Sequence, residues 1–321
     1  MISFIVIARN EEMHLGKCFK SINNACDENS IVDYEIIYVD SNSNDQSIEI
    51  ALTHNADKIF KLNKIWNAAM GRNIGAKHAS GDILCFLDGD MELVSTFIPK
   101  ILDEKISLRY DLVSGDLLHH YYDMHDNLIG TKREFVHIKS AIKKPITGGS
   151  FWIKKEIYEC VGGMDNRMKR GEDPEFGLRL AKKGYLLLFL PELYVIHHTE
   201  LHENSLVRRI MSGAWFFGTV LLYKYNLFNP YTYKRMLRQD SSLIVLAITL
   251  LGALAFTPYL FIAYPVFLII RTKFKIPRDK TSILAYIFVK DIISLICFIP
   301  AYKKRIKTEN IPFEIVRQGI K

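Results

Sequence analysis

The sequence lacks the cysteine patterns of a disulfide framework or a zinc site. Among its 321 residues there are five cysteines, an odd number, and no two of them form a Cys-x-x-Cys pair. Such usage is typical of a reducing compartment. The first ten residues also lack a basic segment ahead of an apolar run and a small-residue cleavage site, so we expect no secretory signal there.

Excess positive charge is missing from the first two thirds of the chain. Residues 231–321 carry 15 Lys and Arg against 5 Asp and Glu, whereas residues 1–230 carry 27 against 30. The net charge of +7 therefore arises in the last third, beside long apolar runs. Basic residues that flank apolar segments favour an anionic membrane surface over a nucleic-acid groove, so we exclude nucleic acid as a partner.

Three short apolar runs in the first ninety residues are each followed by a polar turn. They are rich in Ile, Val and Phe, which is typical of strands buried on both faces of a sheet. Helix-like stretches separate them. This alternation predicts an α/β fold, an open mixed and mostly parallel sheet flanked by helices. The predicted strands are Ile2–Ala8, Tyr34–Asp40 and Ile83–Asp88.

The composition changes near residue 240. Leu243–Ile270 contains no charged residue, and Ile283–Ala301 contains two. The first run exceeds the ~20 residues that span a bilayer, although a long buried core helix is the alternative. We therefore predict an α/β domain over residues 1–230 and a membrane-associated helical region over residues 231–321.

The flanks of both apolar runs are basic. Lys and Arg number 3 in residues 231–242, 5 in 271–282 and 4 in 302–308. Because basic flanks tend to stay on the cytoplasmic side, two simple spans would carry the middle flank across the membrane. One hypothesis is that Pro258 breaks the first run into a re-entrant or interfacial hairpin; ordinary spans containing proline are the alternative.

Three carboxylates are predicted to lie at one edge of the sheet. Asp40 ends the second strand, and Asp88 and Asp90 follow the third, separated only by Gly89. Ligands bind beyond the carboxyl ends of strands in open α/β sheets. Two carboxylates around one small residue can hold a hard cation such as Mg²⁺ while the backbone approaches a phosphate. A polar turn after a strand is the alternative.

Five motifs, in order, resemble those of the family-2 inverting glycosyltransferases of the GT-A fold. The resemblance covers roughly residues 1–200 and implies a nucleotide-diphosphate sugar donor, expected to be a UDP-sugar, and Mg²⁺ or Mn²⁺ bound by the Asp-x-Asp motif. The motifs are Ile5–Glu12, Ile37–Ser43, Gly71–Gly75, Phe86–Asp90 and Gly171–Asp173.

The resemblance implies a role for each matching residue. Asp40 is expected to read the nucleobase edge, and Arg72 to face the base and the phosphates. Asp90 is expected to bind the metal, with Asp88 and His197 beside it. The nucleotide-sugar-binding residues that it implies are Ala8, Asn10, Glu12, Asp40, Arg72, Asp88 and Gly89.

An inverting transfer needs a base that takes the proton of the acceptor hydroxyl. The resemblance gives this role to Asp173, with Glu172 beside it. Asp173 before Pro174 is also a good helix N-cap, a role that occupies only one carboxylate oxygen. Trp152 fits either a sugar-stacking residue or a core residue, and Asp116–Lys139 is expected to be an irregular excursion.

A Gln-x-x-Arg-Trp motif is absent after the base, where the chain has Arg208 and Arg209, so we expect single additions rather than polymerisation. The expected acceptor is a glycan or polyprenyl-linked intermediate in polysaccharide biosynthesis, with the catalytic domain at the cytoplasmic face of the cell membrane. Two alternatives remain: a nucleotidyltransferase, which the lack of a glycine-rich basic loop after the first strand disfavours, and a catalytically inactive membrane scaffold.

Overall fold

The computed structural model describes residues 1–63, 67–168, 170–200, 214–273, 280–298 and 306–319. The chain divides into two compact units. The first consists of Met1–Arg167, Glu172–His202 and Arg305–Lys321, and the second of Met168–Gly171 and Glu203–Lys304. The expected boundary at residue 230 stays a prediction.

An eleven-stranded mixed sheet, as far as the described residues show, forms the centre of the first unit. Its strand order is β11-β3-β2-β1-β4-β9-β6-β10-β5, with β7 paired to β6 and β8 paired to β10. The strands are β1 Ile2–Ala8, β2 Tyr34–Asp40, β3 Lys58–Leu62, β4 Ile83–Asp88, β5 Met91–Leu93, β6 Leu112–Tyr122, β7 Leu128–Arg133, β8 Ile142–Lys144, β9 Phe151–Lys154, β10 Leu187–Glu200 and β11 Phe313–Gln318.

Helices cover both faces of this sheet. Along β1, Phe4 and Val6 belong to one buried core cluster, while Ile5 and Ile7 belong to the other. The strand is therefore buried on both faces, as its unbroken apolar run predicts. The helices are α1 Leu15–Glu28, α2 Ser47–Thr53, α3 Ala68–His78, α4 Ile98–Ile101, α5 Lys155–Cys160 and α6 Glu172–Lys182, with 3₁₀ turns at Ser95–Phe97 and Thr308–Asn310.

The predicted mixed sheet is confirmed, but the expectation that it is mostly parallel is wrong. Four of the ten strand pairs among the described residues are parallel and six are antiparallel. The parallel pairs are those of β1, β2, β3 and β4 and the pair of β6 with β10. Of the six antiparallel pairs, only β6–β7 joins consecutive strands, and the other five join strands from more distant parts of the chain.

Two local expectations are settled by the same sheet. Asp116–Lys139 is not an irregular excursion, because most of it forms the antiparallel β6–β7 hairpin. Trp152 is a core residue on β9, with no exposed surface and an edge-on contact with Phe4 at 5.5 Å between ring centroids. It is therefore buried away from any sugar.

Helices form the second unit. They are α7 Ala214–Tyr225, α8 Pro230–Gln239, α9 Ser241–Ala255, α10 Ala263–Lys273 and α11 Lys280–Phe298, with a 3₁₀ turn at Pro258–Ile262. The first apolar run does break just ahead of Pro258. Among the described residues, no helix is by itself long and apolar enough for a membrane crossing; α8 and α9 pass only as a pair bent by 90°. Residues 299–301 of the second run lie outside the described residues.

The close packing of α3 on β1 is testable at Gly75. A Cβ at this position would lie 2.3 Å from Cγ2 of the fully buried Ile5. We expect Gly75→Ala to lower the free energy of unfolding, because overpacking a core costs about 1–3 kcal/mol and the helix propensity of alanine returns at most about 1 kcal/mol. Urea titration followed by circular dichroism measures the change.

Gly130→Ala is the matched control, because a Cβ there meets nothing within 4 Å. A Gly75→Ala protein as stable as this control would show that helix α3 does not depend on this close approach.

Candidate active site

The loops after β1 and β2 are tied together by side-chain hydrogen bonds to the backbone. The backbone amide of Asn10 donates to Ser43 Oγ at 2.9 Å, and the backbone amide of Glu12 donates to Asp45 Oδ2 at 3.0 Å. In return, the Gln46 amide donates to Glu12 Oε2 at 3.0 Å. The carboxylate of Glu12 is thus engaged in holding the loop pair, and the nucleotide contacts expected of Asn10 and Glu12 stay predictions.

Asp40 lies at the end of β2 and has no exposed surface. Its Oδ1 accepts a hydrogen bond from the Tyr38 hydroxyl at 3.0 Å, and its Oδ2 accepts one from the Ser43 amide at 2.8 Å. The carboxylate therefore anchors the start of the following loop. Its expected role in reading a nucleobase stays a prediction.

The Asp88-Gly89-Asp90 turn joins β4 to β5. A Cβ on Gly89 would lie 2.6 Å from the Cβ of Ala8, so only glycine lets this turn pack against the end of β1. The Gly89 amide donates to the Ile7 carbonyl at 2.9 Å and fixes that approach. A cleft of about 300 Å³ opens here, lined by Ile7, Ala8, Arg9, Glu11, Ser41, Asn67, Ala68, Asp88, Gly89 and Asp90.

His197 faces the same turn from β10. Its Nε2 lies 3.1 Å from Asp90 Oδ2, and its Nδ1 lies 3.1 Å from Nδ1 of His119 on β6. His119 Nε2 lies 3.2 Å from Oε2 of Glu134. Burial lowers the pKa of His197, but the hydrogen bond and charge of Asp90, with Asp88, together raise it above the ordinary value. The structure thus brings together Asp90 and His197, two of the three residues that the resemblance assigns to a metal. The third, Asp88, begins the same turn.

These residues fit a divalent cation that has few protein ligands. Asp90 Oδ1 is buried and has no hydrogen-bond partner among the described residues. This carboxylate oxygen is therefore available to bind a metal ion. Burial first, and then the charges of Asp90 and Asp88, raise the pKa of Glu11 to about 8. In the described part of the chain, no three acidic, histidine or cysteine side chains enclose a metal. Substrate phosphates commonly complete such a shell.

Arg72 of α3 lies beneath the site, with 2% of its side chain exposed. Its Nη2 donates to Asp88 Oδ1 at 2.6 Å, and its Nη1 donates to Glu172 Oε1 at 3.3 Å. A Cβ on Gly149 would lie 2.9 Å from Arg72 Nη2, so the backbone there also closes over the pair. The guanidinium connects β4 to α6, while its expected contact with the donor stays a prediction.

Asp173 lies in the first turn of α6. The helix begins at Glu172, two residues before Pro174, so Asp173 is not the N-cap that the sequence offered as an alternative. The Thr147 hydroxyl donates to the backbone carbonyl of Asp173 at 2.8 Å. Burial first, and then the charge of Glu172, raise the pKa of Asp173 to about 7 despite the opposing charge of Arg72. A carboxylate with this pKa can accept a proton near neutral pH.

A second, larger cleft of about 640 Å³ shares Glu11 and Asp90 with the first. His198 lies on its wall, with Nε2 2.6 Å from Glu92 Oε1, and its ring stacks on His14 at 4.6 Å. Sequence reasoning missed Glu11, which lines both clefts, as well as His119 and Glu134. The His-His doublets at 119–120 and 197–198 are a signal in the sequence that could have indicated the contact between His119 and His197. Arg208 and Arg209 lie outside the described residues.

Comparison with known proteins supports one family. The family described as "Glycosyl transferase family 2" matches residues 3–164. The glycosyltransferase AglE of Haloferax volcanii is 24% identical over 222 residues, 66% of this chain and 71% of that protein. A dolichyl N-acetyl-α-D-glucosaminyl phosphate 3-β-D-2,3-diacetamido-2,3-dideoxy-β-D-glucuronosyltransferase of Methanococcus voltae is 24% identical over 238 residues, again 66% of this chain and 71% of that protein.

Solved structures share the fold. Residues 1–349 of S. aureus TarS superpose with a TM-score of 0.54 at 14% identity, covering 97% of this chain and 98% of that chain. GalNAc-T7, solved with UDP, GalNAc and Mn²⁺, superposes with a TM-score of 0.50 at 20% identity. That match covers 64% of this chain and 44% of GalNAc-T7. At these identities the likeness shows the fold alone.

The ion-pair bridge of Arg72 can be tested by its removal. We expect Arg72→Met to lower the free energy of unfolding by about 3–5 kcal/mol, because it leaves the partly buried Asp88 and Glu172 without a cation. Denaturant titration measures the change, and Arg72→Lys should recover only part of it, since one ammonium cannot reach both carboxylates as a guanidinium does.

The control is Lys154→Met, which removes an exposed ion pair with Asp111. Pairs of this kind contribute at most about 1 kcal/mol. Equal losses in the two methionine variants would contradict a special role for Arg72.

Proposed function

Because the chain belongs to glycosyl transferase family 2 and is a glycosyltransferase, we propose that it moves one sugar from a nucleotide-diphosphate sugar to a hydroxyl acceptor with inversion. The observation that carries the proposal is that Arg72 links the Asp88–Asp90 turn to the start of α6, so that two carboxylates suited to different roles belong to one site. Asp90 has an unused buried oxygen among the described residues, and Asp173 has a pKa near 7.

The donor is proposed to bind in the cleft formed by the ends of β1 and β4, which Ala8 and the Asp88–Asp90 turn line. Its volume of about 300 Å³ is at the lower end of small-molecule sites. UDP is the proposed nucleotide, a choice supported by the UDP complexes of TarS and GalNAc-T7.

Asp90 and His197 are proposed to hold Mg²⁺ or Mn²⁺, with Asp88 beside them. When bound, such a cation supplies positive charge to the diphosphate as it leaves. His119 and Glu134 continue the chain of contacts behind His197 and hold its ring in place, as outer partners of metal-bound histidines commonly do.

Asp173 is proposed to be the base. It accepts the proton of the acceptor hydroxyl while that oxygen attacks the anomeric carbon, and the nucleoside diphosphate leaves from the opposite face. Glu172 is less suited to this role, because its Oε1 accepts a hydrogen bond from Arg72. A single displacement of this kind inverts the anomeric centre.

The acceptor is proposed to be a glycan or a polyprenyl-linked intermediate at the cytoplasmic face of the cell membrane. Two observations support this choice: the apolar helices of the second unit, and the dolichyl phosphate-linked sugar named for the Methanococcus voltae relative. The proposed context is polysaccharide or cell-surface glycan assembly.

Removing the Asp90 carboxylate should weaken metal-dependent donor binding. We expect Asp90→Asn to weaken UDP binding in Mn²⁺ by at least about 10-fold, because even the outer partners of metal ligands typically contribute 10–100-fold to metal affinity. In EDTA, by contrast, the wild type and the Asp90→Asn variant should bind UDP with equal affinity. Isothermal titration calorimetry with UDP, in Mn²⁺ and in EDTA, measures both.

Asp111→Asn removes the same charge beside the start of β6, at the opposite sheet edge, and should bind UDP as the wild type does. Wild-type affinity in Asp90→Asn would refute the metal assignment. Failure of the folded wild type to bind any of UDP, GDP, CDP and dTDP would favour the inactive scaffold.

Asp173→Asn should separate binding from transfer. We expect UDP affinity within about twofold of the wild type and a transfer rate lower by about 10²–10⁴-fold, the usual contribution of a general base. For the wild type, kcat/KM should rise with pH through about 7, since Asp173 must be deprotonated to accept a proton. The measurement is UDP release from a panel of UDP-sugars with membrane lipid extract as acceptor.

A flat rate between pH 5.5 and 8.5, or full turnover by Asp173→Asn with loss in Glu172→Gln, would assign the base to Glu172 or elsewhere. Release of pyrophosphate instead of UDP would identify a nucleotidyltransferase.

A further inference from the structure

The charge-free run of the second unit forms a hairpin. Helix α9 leads out from Ser241 to Ala255, the 3₁₀ turn Pro258–Ile262 reverses the chain, and α10 leads back to Lys273. The two ends of the hairpin meet, because Arg271 Nη2 donates to the Gln239 carbonyl at 2.7 Å. The residues before α9 and those at the end of α10 are therefore at the same end of the hairpin, which we call its base.

One face of the hairpin is packed and the other is bare. Leu246, Tyr264 and Leu268 form a buried cluster on the inner face, against α11. The outer face and the turn expose large apolar side chains, up to 85% at Phe256 and 80% at Leu254. The exposed set is Ile248, Leu251, Leu254, Phe256, Tyr259, Leu260, Phe261, Ile262, Val266, Ile269 and Ile270. A patch of this extent is typical of a protein or membrane contact.

Charge is confined to the base. Lys234 and Arg238 are exposed on α8, immediately before α9, and Arg271 and Lys273 end α10. Between Leu243 and Ile270 there is no charged side chain. An apolar tip with basic residues behind it complements a bilayer, whose anionic headgroups lie outside an apolar interior.

The backbone around the turn makes hydrogen bonds within the hairpin, as a segment in lipid needs. The Phe256 amide donates to the Gly252 carbonyl at 2.9 Å, and the Leu260 amide donates to the Thr257 carbonyl at 3.1 Å. Fifteen residues of α9 rise about 22 Å, less than the ~30 Å thickness of the hydrocarbon core. A helix of this length that entered a bilayer from one side would end inside the hydrocarbon.

We infer that α9, the turn and α10 form a re-entrant hairpin that enters a bilayer containing anionic lipid and leaves it on the same side. This inference rests on the membrane location in the proposed function and adds its topology. Lys234 and Arg238 of α8 and Arg271 and Lys273 of α10 then lie at one membrane surface, and Tyr259 lies in the hydrocarbon.

Topology is tested by cysteine labelling of the full chain in spheroplasts. Single cysteines replace Arg238, Tyr259 or Lys273 in a protein in which the native cysteines are changed to serine. A membrane-impermeant maleimide should label neither Arg238→Cys nor Lys273→Cys in intact spheroplasts, and both after lysis. Tyr259→Cys should stay unlabelled in both. Labelling of only one base site before lysis would establish a span and overturn the hairpin.

Insertion is tested by flotation of the purified full chain with vesicles of phosphatidylcholine and phosphatidylglycerol. Leu254→Glu should weaken vesicle binding by about 100-fold, the cost of one charge in the hydrocarbon. Val32→Glu is the matched control, since Val32 is an equally bare apolar residue, 89% exposed, in the first unit. Equal binding by both variants would overturn insertion.

UDP binding in detergent separates this inference from the proposed function. Leu254→Glu should bind UDP as the wild type does, so loss of flotation with intact UDP binding tests the membrane contact alone. A wild type that does not float, but whose dimers dissociate in Leu254→Glu, would instead make the bare face a contact between two copies of the chain.

Discussion

The site depends on the ion pairs that the buried Arg72 guanidinium makes with Asp88 and Glu172. The ends of β4 and α6 bring Asp88, Glu172 and Asp173 close together, and such crowding is costly without a cation. A planar fork can serve two carboxylates, which a lysine cannot. Its position in turn depends on α3 lying close to β1, where a Cβ on Gly75 would clash with Ile5. The close packing that Gly75 allows therefore helps to place the cation that neutralises the carboxylates of the site.

Strand direction explains how distant parts of the chain meet at one edge. Strand β9 is antiparallel to both β4 and β6, so β6 runs in the direction of β4, and β10 is parallel to β6. The carboxyl ends of β4 and β10 consequently lie on the same side of the sheet. That arrangement places His197 beside Asp90, 107 residues earlier in the chain, and pairs His197 with His119 in register.

The second unit contains charged residues within an apolar helix, and buried charges of this kind need partners. Lys290 and Asp291 interrupt an otherwise apolar helix, and each is paired within this unit: Lys290 with Asp240, and Asp291 with the Tyr264 hydroxyl at 3.0 Å. These two charged side chains thus have partners inside the unit. The outer face of the α9–α10 hairpin, by contrast, has no such cover among the described residues.

Local pattern alone determined the strands β1, β2 and β4, whose bounds match the predicted ones, and the break ahead of Pro258. Burial on both faces and proline geometry are properties of a few neighbouring residues, so sequence reports them directly. The sequence did not show that Glu11 lines the cleft while Glu12 holds the neighbouring loop. It also predicted neither the pairing of β11 with β3 nor the contacts of His197 with His119 and of His119 with Glu134. Those depend on loop geometry and on pairing between segments far apart in the chain, which only the tertiary structure decided.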